Sequence, residues 1–290
     1  MEHPGTRMIL LVASLTVLAA AAPLHAVDIY YTTCTDGEFE NCRCPSKPLG
    51  GMEKRLGEIE RRRAAGEEFL LVDSGNFMRA KVDSFQAETS IDIYELYDYD
   101  AVLPGVHELK QGRAVIEKVV DRLPVVAANL TYKDGRPLTK TFRRFERDGE
   151  TVIITGLFDP ALAEQLPPQQ IEYLQIQPVE YSLRKVLDEV PAGATVVVLL
   201  HSTHSGDKEF ASQWDRVNLV VGGASCIKET GVRETGGAPV VAAGANARYL
   251  GTARVRGSRA RVELVPIRPE LPDDPRALKF IVEWRSRSNR

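Results

Sequence analysis

Five short polar stretches hold the side chains that could do chemistry: Cys34 and Asp36 in "TTCTDGE", Asp73 and Asn76 in "LLVDSGN", His107 and Glu108 in "LPGVHE", His201 in "VVVLLH", and Cys226 in "LVVGGASC". Carboxylates, imidazoles and thiols can ligate a divalent ion, move a proton or form disulfides. Each stretch follows an apolar, β-branched run, so its polar residues sit where a strand opens into a loop. Loops at the ends of neighbouring strands gather at one edge of a sheet, and the five stretches are expected to form one site. Asp73 is expected to accept hydrogen bonds from loop amides. The cysteines, Cys34, Cys42, Cys44 and Cys226, read as disulfide partners in an exported chain. They admit three pairings, and Cys42 and Cys44 are too close to pair comfortably with each other.

The first residues place Arg7 before an apolar run, Met8 to Ala22, followed by small residues up to Ala26. That is the layout of a secretory signal peptide, 1–26, and it predicts a periplasmic or extracellular protein with no membrane span after cleavage. About 264 residues would remain, 27–290, enough for one large α/β domain. The net charge of −3 argues against nucleic acid as a partner. Arg254, Arg256, Arg259 and Arg261 alternate around "RGSR" and are expected to form the solvated face of a hairpin rather than an anion-binding patch. "VDIYYTTC" reads as a strand, 52–65 as an amphipathic helix with its charges outward, and "PVVAANL" as a buried strand. "TFRRFERDGETVIITGLF" reads as a hairpin turning at Asp148 and Gly149. "DDPRALKFIVEW" reads as a closing helix with Asp273 or Asp274 at its cap and Pro275 in its first turn.

The order of these motifs resembles the 5'-nucleotidase branch of the calcineurin-like metallophosphoesterases along nearly all of the chain after residue 26. "TTCTDGE" stands at the family's first Asp-x-His motif, "LLVDSGN" at its Gly-Asp strand, "LPGVHE" at its Gly-Asn-His-Glu loop, "VVVLLH" at its histidine strand and "LVVGGASC" at its Gly-His-x-His turn. The resemblance implies an α/β, four-layer sandwich of two mixed β-sheets flanked by helices. It also implies a site for two divalent ions about 4 Å apart that activate a water and clamp a phosphate ester. Position by position the chain departs from that pattern. Cys34 and Asp36 replace the first aspartate and histidine, Asn76 the bridging aspartate and Val106 the asparagine. Ala224 and Cys226 stand at the turn's two histidines, and His201 alone keeps the family's residue. His107 matches a histidine that protonates the leaving group or stabilises the transition state, a role left vestigial without a nucleophile.

The resemblance makes the chain an exported protein of phosphoesterase fold with a degenerate site, a non-catalytic binding or assembly component. The alternative is an active hydrolase of phosphate or sulfur esters with an altered metal site. Two fates remain for the old metal positions: a Cys34–Cys226 disulfide across the site, or a single zinc-like ion held by Cys34, Asp36, His201 and Cys226. A third reading is a redox partner of respiratory proteins acting through Cys42 and Cys44. No CxxCH motif is present, so the chain carries no covalent c-type haem.

Overall fold

Thr195–His201 is a β-branched and leucine-rich run buried at every residue. Such a strand needs cover on both faces, the place of a central parallel strand. It holds that place in the computed structural model, which describes residues 26–41, 48–223, 231–233 and 236–288. In chain order the elements are β1 (Val27–Thr32), α1 (Met52–Ala64), β2 (Leu70–Asp73), α2 (Ser84–Tyr97), β3 (Ala101–Val102), α3 (Val106–Leu109), α4 (Arg113–Arg122) and β4 (Leu130–Tyr132). The hairpin β5 (Phe142–Arg147) and β6 (Glu150–Phe158) follows, then α5 (Pro168–Ile171), β7 (Leu174–Ile176), α6 (Val179–Glu189), β8 (Thr195–His201) and α7 (His204–Ala211). The remainder is β9 (Leu219–Gly222), β10 (Gly231–Arg233), β11 (Val240–Ala242), β12 (Tyr249–Arg256), β13 (Arg259–Pro266) and α8 (Pro275–Ser288).

One sheet is ordered β13-β12-β1-β2-β3 and the other β10-β11-β9-β8-β6-β5, with β4 and β7 paired as a separate ribbon. Both large sheets are mixed: β1, β2 and β3 run parallel beside antiparallel β12 and β13, and β6, β8, β9 and β11 run parallel between antiparallel β5 and β10. Their facing sides share a core in which Ile29, Tyr31, Val72 and Val255 meet Val152, Ile154, Val197 and Val221. On the outer side of the first sheet, Tyr30, Leu71 and Leu250 pack with Met52, Leu56, Ile91 and Ile281 of α1, α2 and α8. Leu183, Val186 and Phe210 of α6 and α7 cover the outer side of the second. The four layers are those the sequence predicts, and every parallel strand that carries a polar stretch delivers it at the same end.

Three local expectations are corrected, and one helix is added. "PVVAANL" is not a strand: Val125 and Val126 make isolated bridges to Val102 and Lys140, and regular pairing begins only at Leu130. The polar stretch after "VVVLLH", expected as a loop, turns at His204 into α7, because the Thr203 side chain accepts from the Gly206 amide at 3.2 Å and caps it. In α1, Glu53, Arg55 and Glu58 are buried, since α2 and α8 both pack against that helix and leave it little solvent face. Helix α2 itself is the largest element the sequence reading passes over. Its buried residues, among them Ala87, Ile91, Tyr94 and Tyr97 at helical spacing, form a broad face that also takes in the polar Thr89 and Ser90, which blurs the apolar stripe. The signal present was its cap, Asp83 accepting from the Gln86 amide at 2.7 Å.

Candidate functional site: a closed polar cluster at the strand ends

Loops after β1 and β2 are zipped together by backbone hydrogen bonds: Cys34 N–H to Gly75 O at 3.0 Å, Asp36 N–H to Asn76 O at 2.9 Å and Gly37 N–H to Phe77 O at 2.9 Å. Holding that shape puts Cys34, Asp36 and Asn76 in the left-handed region, at φ 45°, 56° and 58°, which disfavours side chains with a Cβ. The loop after β3 presses against them. A Cβ on Gly105 would fall 2.4 Å from His201 Cε1 and 2.6 Å from the Asn76 nitrogen, so only glycine fits there. Gly223, just past β9, lies as close: its Cβ would meet the Ser74 carbonyl oxygen at 1.9 Å.

Glu108 binds these loops into one body. Its carboxylate accepts from the Asn76 amide at 2.9 Å, the Gly105 amide at 2.8 Å and the Met78 amide at 2.7 Å. Burial pushes its pKa up, with the Met78 amide, the His107 charge and the other amides opposing. Asn76 accepts the His107 backbone N–H at 2.9 Å. Asp36 forms an ion pair with His107 Nδ1 at 3.1 Å, and the same nitrogen lies 3.0 Å from Met78 O. Burial disfavours the His107 imidazolium, but Asp36, Glu108 and the Met78 carbonyl outweigh it and hold the pKa above its ordinary value.

His201 is fully buried and has no spare nitrogen. Nδ1 lies 2.9 Å from Ser74 O, and Nε2 accepts the Val106 amide N–H at 3.2 Å. Those partners define a neutral ring protonated on Nδ1, and burial lowers its pKa to about 4. Cys34 is disulfide-bonded, with Sγ 2.9 Å from Gly223 O and 3.9 Å from Asn76 Nδ2. The structure thus brings together Cys34, Asp36, Asn76, Val106, His107 and His201. Cys42, Cys44, Ala224 and Cys226 lie outside the described residues.

Beneath the cluster is a polar network that sequence reasoning did not find. Arg55, fully buried, donates to Thr35 Oγ1 at 2.7 Å and to the Tyr97 hydroxyl at 3.2 Å. Thr35 passes a hydrogen bond to Tyr94 at 2.9 Å, and Tyr94 donates to Asp73 at 3.1 Å. From the other side Tyr99 donates to Thr32 at 2.8 Å, and Thr32 donates to Asp73 at 2.5 Å. The Gly75 amide adds a third donor at 2.8 Å, so three donors converge on Asp73 and the expected loop-amide contact is present, while the Tyr97 hydroxyl donates to Met52 O at 2.7 Å. Burial still pushes Asp73 up to about 7, against its donors and Arg55. Helical spacing assigns Arg55 to a charged face, so nothing local marks it as buried.

A pair of divalent ions needs carboxylates to offset charge and open imidazole or oxygen donors to fill the shells. Of the described residues at the matching positions, Asp36 alone offers a carboxylate, and it is paired with His107; a disulfide sulfur, an amide, a valine and an imidazole with both nitrogens engaged supply neither kind of donor. Among the described residues no three His, Cys, Asp or Glu side chains come close enough to hold a metal ion. The described donors do not by themselves make up a dinuclear centre, and without Cys34 as a thiolate they do not make up the tetrahedral zinc-like site.

At the level of sequence, no family profile and no curated protein matches the chain. The fold does match: four layers with the strand-end cluster at one edge are the architecture of calcineurin-like metallophosphoesterases, a phosphoesterase-type hydrolase fold. Its neighbours in that fold include 5'-nucleotidases, a sulfate thiohydrolase and a calcineurin-like phosphoesterase. The chain is similar to the sulfate thiohydrolase SoxB of Thermus thermophilus, with TM-score 0.79 and 17% identity over 93% of this chain and 62% of that one. A 5'-nucleotidase precursor, also from Thermus thermophilus, aligns with TM-score 0.77 and 20% identity over 91% and 59%. The calcineurin-like phosphoesterase YfkN from Bacillus subtilis aligns with TM-score 0.74 and 15% identity over 92% and 98%. The chain therefore spans about three fifths of the first two proteins, 62% and 59%.

Proposed function

We propose that this chain is an exported, non-catalytic binding or assembly component that keeps the phosphoesterase fold and has given up its paired-metal site. The observation that carries the reading is His201, the one ligand position with the family's residue, whose Nε2 is already taken by the amide of Val106. Export is supported by the signal-like first residues and by the disulfide at Cys34, a bond that persists in oxidising compartments. A Cys34–Cys226 pairing is supported by the approach of Cys34 Sγ to Gly223, three residues before Cys226 in the sequence. It would replace a metal cross-link between two loops with a covalent one. The partner is a protein, with a respiratory or redox protein favoured by the two further cysteines, Cys42 and Cys44. Residues 27–290 act as one domain in this reading.

The test joins metal analysis of protein from its native compartment with hydrolysis assays. With manganese, zinc or magnesium added, no turnover of phosphomonoesters, phosphodiesters or thiosulfate esters is expected, and no stoichiometric metal. Metal-dependent hydrolysis that His201→Ala abolishes would overturn the reading and establish the active hydrolase instead.

A further inference from the structure

The hairpin of β12 and β13 places four arginines on one face. Its register sets Arg254 opposite Arg261 and Arg256 opposite Arg259, and all four are exposed, while the intervening Val255 points into the core. Like charges directly opposite one another destabilise a sheet, so the fold gains nothing from this arrangement. Compensation is uneven. Arg254 makes a long contact with Asp28 at 3.8 Å, and among the described residues no ion pair holds Arg256, Arg259 or Arg261. Asp28, Glu67, Glu68 and Glu263 line a cleft with Arg62, Arg254 and Arg261. Arg256 and Arg259, which flank the hairpin turn, do not line that cleft and are the uncompensated pair.

The location matters as much as the charge. Val27 pairs with Val255 and Asp28 with Arg254, so β1 begins beside the arginines. The candidate site lies at the other end of β1, about 20 Å away along its six residues. A protein interface would require an apolar centre. The exposed large hydrophobic residues among the described ones are Tyr181 and Val282, neither of them on this hairpin.

We propose that the Arg254, Arg256, Arg259 and Arg261 face docks on an anionic bilayer surface, holding the domain with its strand-end cluster turned away from the lipid. The contact is electrostatic and reversible, because a basic patch without an inserted apolar chain is one signal where stable anchoring takes two. Each arginine near an anionic surface contributes about fivefold in partitioning, and salt weakens the attraction over a Debye length of roughly 10 Å.

Co-sedimentation of the exported chain with phosphatidylcholine vesicles, alone or containing phosphatidylglycerol, tests this. Binding is expected only to the second, weakening steeply with salt, and Arg256→Gln with Arg259→Gln should lower it about 25-fold. Arg113→Gln with Arg136→Gln, which removes the same charge elsewhere, should change it little. The hairpin double variant relieves charge repulsion, so its melting temperature should not fall and misfolding cannot explain a loss. Equal binding to both vesicle types, or binding insensitive to the hairpin pair, would overturn the proposal. So would capture of polyglutamate but of no vesicle, which would assign the face to an acidic protein segment.

Discussion

Glu108 offers the sharpest test of how the cluster is held. Glu108→Gln keeps the shape of the side chain and changes one oxygen into a donor. With the amide oxygen at the position bonded to Asn76 and Gly105, the new NH2 group faces the Met78 amide, now 2.7 Å from a donor rather than an acceptor. The lost bond and the orphaned amide cost about 2–3 kcal/mol, and the two surviving bonds weaken as their acceptor loses its charge. Removing a carboxylate whose pKa burial has already raised offsets part of this. A net loss of about 2 kcal/mol should lower the melting temperature by roughly 4–8 °C for a domain of this size. Thermal denaturation followed by circular dichroism at pH 8 reads the shift, and hydrogen exchange should quicken at Asn76, Met78 and Gly105. Glu108→Ala, which orphans all three amides, should cost roughly twice as much. An unchanged midpoint in Glu108→Gln, with unchanged exchange at Met78, would refute the assignment of Glu108 as the brace between the loops.

Other consequences follow from the same packing. Burial raises Asp73 from 3.8 and Glu53 from 4.5, each to about 7, so folding favours their protonated forms. The stability they contribute is complete below about pH 4 and is lost as pH rises through 7, at about 1.4 kcal/mol per pH unit for each group. His201, lowered to about 4, opposes them below pH 6.5, while Glu108 and His107, both raised, act with them, so the urea midpoint should be higher at pH 5 than at pH 8, and the reverse order would contradict the placement of the buried carboxyls. Gly251→Ala would put a Cβ 2.1 Å from the Tyr31 ring; overpacking of about 1–3 kcal/mol should appear as a lower urea midpoint, and wild-type stability would show that the ring is free to move. If Cys34 pairs with Cys226, the bond closes a very long loop worth about 4–5 kcal/mol in the chain-entropy model. Reduction should then lower the melting temperature sharply while chelators leave it alone, and two alkylated thiols at Cys34 and Cys226 in non-reduced protein would exclude the pairing.

Periodicity and motif order were enough to read the layers. β8 is continuously apolar because it is covered on both sides, β5 and β6 announce their turn at Asp148 and Gly149, and Asp274, just before α8, accepts from the Arg276 amide at 2.8 Å. The departures at Cys34, Asn76 and Val106 are likewise visible as residue types. Those signals are local, which is why a single chain carries them. Tertiary structure alone decided what occupies the space between them. His201 reads as an available ligand until the close approach of Gly105 brings the Val106 amide onto its Nε2. Arg55 reads as a surface charge until α2 and its tyrosines close over it, and Asp73 becomes the acceptor for both sides of that buried network. The four arginines read as one solvated hairpin face, but strand register sets them against each other in pairs and beside the start of β1. Each of these outcomes depends on groups far apart in sequence meeting at hydrogen-bond or contact distance, and no pattern along the chain encodes such a meeting.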